Sequence, residues 1–187
     1  WYGVGSFGGG NFGISTNDGR AWTGRSIAGI SPNALAYGAG TLVAVGNSGV
    51  IRYSTDGGLT WNAGLSPASY PLYAVTYGNG TWIATGGMAT TVVTSSDGQL
   101  WTLRSLPSGY QVYSYSVGYG AGTFVFSAGD YYFTSTNAGL SWNLGSQTDR
   151  YALYGASHVA YGGGIWVSAG PSGFMRLSAN AGQNWDL

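Results

Sequence analysis

The amino-acid sequence predicts an all-β fold, a five-bladed propeller of four-stranded antiparallel blades, and three observations predict it. Tryptophan recurs at Trp22, Trp61, Trp101, Trp142 and Trp185, at spacings of 39, 40, 41 and 43 residues, which is the period of a propeller blade. A second marker, Tyr-Gly-x-Gly, keeps nearly the same beat at Tyr37, Tyr77, Tyr119 and Tyr161. The composition agrees with both. With 35 Gly, 16% aromatic residues and no Lys or Glu at all, helices lack two of their best surface formers, whereas short twisted strands and tight turns are well supplied.

The third unit shows how each element arises. Leu72 to Tyr77 alternates apolar and polar residues and reads as a first strand; Gly78-Asn79-Gly80 is a turn, and Thr81 to Thr85 a second strand. Gly86 to Ala89 form the next turn, Thr90 to Thr94 a third strand, Ser96 to Gly98 a turn, and Leu100 to Leu103 a fourth strand. Four short antiparallel strands in about 40 residues make one blade. No seam in composition divides the chain, so residues 1–187 form a single domain of units 1–26, 27–66, 67–107, 108–147 and 148–187. Trp1 to Gly5 align with the second strands Trp82 to Gly86 and Trp166 to Gly170, so the first blade is expected to lack its first strand. A three-stranded closing blade is the expectation. Its competitors are a longer parent chain and a strand donated by another molecule.

Each marker tryptophan closes an octet, most regular in Ser54-Thr55-Asp56-Gly57-Gly58-Leu59-Thr60-Trp61. This octet resembles the Asp-box, or bacterial neuraminidase repeat, Ser/Thr-x-Asp-x-Gly-x-Thr/Ser-Trp/Phe. The copies ending at Trp142 and Trp185 carry Asn137 and Asn180 in place of the Asp, and the copy ending at Trp22 carries Asn17. In the third unit Trp101 arrives one residue early after Asp97, which predicts a tighter turn. The side-chain oxygen of Asp or Asn can accept backbone amides of its own turn, Gly tolerates positive φ, and Trp buries a large ring. Asn17, Asp56, Asp97, Asn137 and Asn180, with their tryptophans, are therefore expected to be structural. The resemblance places these turns away from the usual ligand face.

Composition narrows function mainly by exclusion. Six Arg balance six Asp, so no cationic field serves nucleic acid or an anionic membrane. Without cysteine there is no disulfide, thiolate nucleophile or cysteine-bound metal. No apolar run approaches the roughly 20 residues that span a bilayer. No cofactor and no metal are expected.

Strand alternation puts the Tyr-Gly-x-Gly and Asp-box turns on one face and the inter-blade linkers on the other. The linker face carries Arg25, Arg104, Arg150, Asp130, Asp149, Met88, Tyr70, Tyr110, Tyr131 and Tyr151. Tyr can stack on sugar rings, and Arg or Asp can fix their orientation. The resemblance also raises a glycosidase, but sialidases of this kind use a Tyr activated by Glu, and this chain has no Glu. Asp130 with Asp149 is the one ligand-face pair for a two-carboxyl mechanism, and Asp149 beside Arg150 reads more simply as a loop ion pair. His158, the only histidine, stands where other units place Ala34, Ala74 and Ser116; a structural role is favoured over a pocket-lining one.

The resulting expectation is a non-catalytic, secreted or surface-displayed recognition module for carbohydrate or a protein surface. A self-assembling subunit of a virion or extracellular filament, and an assembly or scaffolding factor, are the alternatives. The sequon Asn79-Gly80-Thr81 offers a turn for glycosylation in a host that makes glycans. Trp61→Ala is expected to lower the melting temperature, and Asp56→Asn to have a mild effect, because other units already use Asn there.

Overall fold

Alternating β-branched and aromatic residues, broken at near-regular intervals by glycine turns, fold into five antiparallel sheets. The computed structural model describes all residues except 88–90, 108–112, 130, 148–157, 174 and 187. Blades 2, 3 and 4 have four strands each: Pro32–Gly38, Thr41–Gly46, Ile51–Ser54 and Asn62–Ala63; Leu72–Gly78, Thr81–Gly86, Val92–Ser95 and Thr102–Arg104; Ser114–Gly120, Thr123–Ala128, Tyr131–Ser135 and Asn143–Leu144. The inner strands of successive blades contact one another around a common axis.

Blade 1 has three strands, Tyr2–Phe7, Gly10–Ile14 and Thr23–Arg25. Trp1 exchanges backbone hydrogen bonds with Ser15, and Tyr2 pairs with Ile14, the register that Trp82 and Ile83 hold with Ser95 and Thr94 in blade 3. Among the described residues the strand absent from this blade is thus the innermost one, as expected. Blade 5 departs from four strands in another way. His158–Gly162, Ile165–Ala169 and Met175–Ser178 form its sheet, and the fourth position is reduced to a bridge between Leu177 and Asp186. Its Asn184–Trp185 pairs instead, in parallel, with Ser146–Gln147 after blade 4. Leu65 and Leu100 make the same parallel link between blades 2 and 3.

The core lies between blades rather than inside them. Val43, Val45 and Ile51 of blade 2 pack with Trp82, Val93 and Trp101 of blade 3. Ile83 and Val92 of blade 3 pack with Phe124, Phe133 and Trp142 of blade 4, and Val125 and Tyr132 of blade 4 with Trp166 and Trp185 of blade 5. Burying one such side chain is worth about 1.5–3 kcal/mol. Trp61 is only half-buried, edge-on to Phe12 of blade 1 at 5.4 Å.

Tyr-Gly-x-Gly has a packing reason. Ala39 with Gly40, Asn79 with Gly80, and Ala121 with Gly122 all have positive φ, so each pair makes the tight two-residue turn that matches strand twist. The first glycine of the motif needs no unusual φ. It is there because the tyrosine ring of the next blade lies on its backbone: a methyl on Gly38, Gly78 or Gly120 would collide with Tyr77, Tyr119 or Tyr161 respectively. Gly162 of blade 5 has nothing within 4 Å. Gly78→Ala should therefore cost about 1–3 kcal/mol or more by overpacking, whereas Gly162→Ala should be close to neutral; chemical denaturation of both variants checks the difference.

Candidate functional site

The first strands of blades 2, 3 and 4 all begin with the same irregularity. Pro32 pairs with Gly46 and Ala34 with Val45, leaving Asn33 as an extra residue. Leu72 and Ala74 skip Tyr73 in the same manner, and Ser114 and Ser116 skip Tyr115. A bulge of this kind re-aims the side chain it carries. Here the three bulged residues, Asn33, Tyr73 and Tyr115, converge with His158 on a cavity of about 460 Å³. The cavity opens at the linker end of the inner strands.

Its wall is aromatic. Tyr73 and Tyr115 stack with centroids 5.0 Å apart and planes at 29°, and Tyr113 continues the array at 6.5 Å and 11° from Tyr115. Tyr73 is half-buried, whereas Tyr113, Tyr115 and His158 are exposed. Gly87 makes room for this array, since a methyl there would press on the rings of both Tyr73 and Tyr113. Asn33 is held by its Nδ2, which donates to the Leu72 carbonyl at 2.9 Å and to Asn47 Oδ1 at 3.2 Å. Behind His158, the Ser116 hydroxyl accepts the Val159 amide at 3.0 Å and ties blade 4 to blade 5. The described residues form an open cleft with flat rings, phenol hydroxyls, an amide and an imidazole.

The residues singled out from sequence are spread more widely. Tyr70 is exposed in the linker before blade 3, and Tyr131 is exposed at the start of a third strand. Arg25 and Arg104 lie on outermost strands, and Arg104 Nε donates to Thr94 Oγ1 at 2.8 Å. None of these four lines the axial cavity. Met88, Tyr110, Asp130, Asp149, Arg150 and Tyr151 lie outside the described residues. His158, for which a structural role was expected, lines the cavity instead. Sequence reasoning missed Asn33, Tyr73 and Tyr115 because it took each first strand as uninterrupted; their shared position, one residue before Ala34, Ala74 and Ser116, was the available signal.

The five octets on the opposite face share one set of bonds. The first Ser hydroxyl accepts a glycine amide in every copy: Ser15 from Gly19, Ser54 from Gly58, Ser95 from Gly98, Ser135 from Gly139 and Ser178 from Gly182, all at 2.8–3.0 Å. In blade 3 that glycine is three residues on rather than four, the tighter turn expected. Asp56 accepts the amides of Leu59 and Thr60 at 3.0 Å, along with the hydroxyls of Thr60 and Ser54. Asn17, Asn137 and Asn180 accept the equivalent amides of Ala21, Ser141 and Asn184 through Oδ1. The indole Nε1 of Trp22, Trp101 and Trp185 donates back to a glycine carbonyl of the turn. Each of these side chains is committed to its own turn.

Fold and turns together define a β-propeller. Residues 52–63 match the family model of the BNR/Asp-box repeat, so the chain folds as a β-propeller that carries this repeat. Among solved structures it is similar to YjhT, with a TM-score of 0.71 and 13% identity over 99% of this chain and 79% of that one. YCF48 from Cyanidioschyzon merolae gives 0.64 and 18%, over 94% of this chain and 65% of that one. The GH74 enzyme of Niastella koreensis gives 0.64 and 20%, over 94% and 28%. This chain thus spans less than two thirds of either of the last two. No curated protein matches it.

Hydrogen bonds from the Thr60 hydroxyl, the Thr60 amide and the Ser54 hydroxyl hold the Asp56 carboxyl well below the usual carboxylate range. The Leu100 amide, with those of Gln99 and Asp97 and the Ser95 hydroxyl, lowers Asp97. A carboxyl lowered in the folded state stabilises fully above its unfolded value, about 3.9 for Asp, and that stabilisation fades as pH falls toward the folded value. The melting temperature is therefore expected to drop below about pH 4. In Asp56→Asn that drop should be smaller, which thermal scans from neutral to acid pH would measure.

Proposed function

We propose that the chain is a non-catalytic recognition module, displayed outside the cell, that binds carbohydrate in the axial cleft. The observation that carries this reading is the Tyr73–Tyr115–Tyr113 array, with Asn33 and His158 beside it. Flat, partly exposed rings offer apolar faces to the C–H faces of a sugar, and phenol, amide and imidazole groups meet its hydroxyls. A small set of placed polar groups in an otherwise apolar cleft suits orientation and selectivity. Among the described lining residues there is neither an acid nor an arginine, which favours an uncharged glycan over a sialylated or sulfated one.

Hydrolysis finds less support. A two-carboxyl mechanism needs acids across one bond, and Asn33, Tyr73, Tyr115 and His158 supply none. Among the described residues, Asp56 and Asp97 are bound into their turns on the opposite face. The neighbouring folds include both the GH74 enzyme and a YCF48 structure bound to D1 peptide, so the architecture serves either kind of protein and the site must decide.

Glycan-array screening followed by calorimetric titration tests the reading. Tyr115→Ala should weaken sugar binding about 10-fold or more, the loss of one stacking platform, with an unchanged melting curve because the ring is exposed. Tyr115→Phe should retain most of the affinity if stacking dominates. No glycan binding, or binding indifferent to Tyr73→Ala and Tyr115→Ala, would remove the cleft as a sugar site. Saturable binding of extended peptides instead would favour the assembly-factor alternative.

A further inference from the structure

The Tyr-Gly-x-Gly turns close the inner hairpins of blades 2 to 5, and one of them differs in chemistry from the rest. The residue after the first glycine is Ala39 in blade 2, Ala121 in blade 4 and Gly163 in blade 5, but Asn79 in blade 3. Asn79-Gly80 is the one Asn-Gly pair in the chain. Both residues are exposed, with φ of 47° and 73°, and a methyl on Gly80 would meet nothing within 4 Å. They lie between Gly78 and Thr81, which pair across the hairpin. Among the described residues no hydrogen bond holds the Asn79 carboxamide or the Gly80 amide.

An unshielded carboxamide beside a bare glycine nitrogen has a reaction of its own, because Asn is a thermolabile side chain and glycine has no Cβ to block approach to its amide. We propose that Asn79 is a site of spontaneous deamidation through a succinimide, which turns the blade 3 hairpin into aspartyl and isoaspartyl forms as the protein ages. The Gly80 nitrogen gives up its proton and bonds to Asn79 Cγ, the Cγ–Nδ2 bond breaks, and Nδ2 leaves as ammonia. Water then opens the ring. Attack at Cγ restores the chain with an aspartyl group at 79; attack at the α-carbonyl carbon leaves the chain running through Cγ as isoaspartate. Water is taken up and ammonia lost, with no change of oxidation state.

The Asp-box turns hold the same kind of pair in check. Asp18, Asp56 and Asp97 also precede glycine, but the Gly19 and Gly98 amides donate to the Ser15 and Ser95 hydroxyls at 2.9 and 2.8 Å. The Asp56 carboxylate is tied to Leu59 and Thr60. The two products at Asn79 differ in effect. The aspartyl form keeps the backbone length and adds a negative charge to a chain of zero net charge, and Asp tolerates positive φ. Isoaspartate adds a backbone carbon to a two-residue turn whose geometry matches strand twist. That carbon enters one residue after Gly78, on whose backbone the Tyr119 ring rests, so the change loosens the contact between blades 3 and 4. The inference is independent of the glycan reading.

The folded chain is incubated at neutral and mildly alkaline pH and sampled over weeks by peptide mapping with mass spectrometry and by enzymatic methylation of isoaspartyl groups. The peptide holding Asn79 should lose its amide form and gain the mass of an amide-to-acid exchange, faster at the higher pH because the attacking nitrogen must lose its proton. Isoaspartyl methylation should rise in step, with Asp18, Asp56 and Asp97 unchanged. Asn79→Ala, the residue of blades 2 and 4, should abolish the methylation and hold the melting temperature constant with age; Asn79→Gly, the residue of blade 5, repeats the comparison if the first variant fails to fold. The isoaspartyl fraction of the aged chain, separated by ion exchange, should melt below the aspartyl fraction. A folded chain whose Asn79 stays intact while the urea-unfolded chain converts overturns the proposal, as does methylation that survives both substitutions. Equal melting of the two fractions overturns the link to the Tyr119 contact.

Discussion

The contact on which the propeller depends is a tyrosine ring laid on a bare glycine backbone one blade away. Tyr77 on Gly38, Tyr119 on Gly78 and Tyr161 on Gly120 join blades 2 to 5 at their innermost strands, where the sheets approach most closely. Any side chain on those glycines would push adjacent sheets apart, and the separation would spread to the Trp82, Phe124 and Trp166 layer outside it. One four-residue motif thus turns the chain and provides both the ring for the blade before and the seat for the blade after. Stability in such an array is a sum over neighbouring interfaces, and here most of the apolar burial sits in them.

The two faces of the disk divide the work. On one, the Asp-box side chains spend their hydrogen-bonding capacity inside their own turns, and the low pKa of Asp56 reflects how fully its charge is satisfied there. On the other, bulges release side chains from the sheets and bring them together. Polar atoms that are already bonded locally make poor ligands, whereas rings held at a rigid strand end with one face open make good ones. On the proposed reading, stability and recognition are therefore drawn from different residues.

The repeated strands, the octet turns and the short first blade were legible in the sequence because each follows from local chemistry: a glycine needing positive φ, a serine and an aspartate reaching their own amides, an apolar alternation of fixed length. The tighter turn at Asp97 was legible for the same reason. The cleft was not. Tyr73 and Tyr115 look like ordinary members of alternating strands, and only the pairing of Leu72 with Gly86 and Ala74 with Thr85 reveals that a residue is left over. Pairing is a property of two strands, so reading one strand at a time loses it.

Because Asn33, Tyr73 and Tyr115 belong to no ladder pair, their identity is free of the constraint that governs every residue beside them. Asn at one bulge and Tyr at two others already shows the position accepting different chemistry on an unchanged scaffold. A lineage built on this repeat can change what its cleft prefers by single substitutions at these points, without repacking a blade. The ring of bulges amounts to a set of interchangeable letters on a fixed frame, and relatives with the same blades are expected to differ first at these positions.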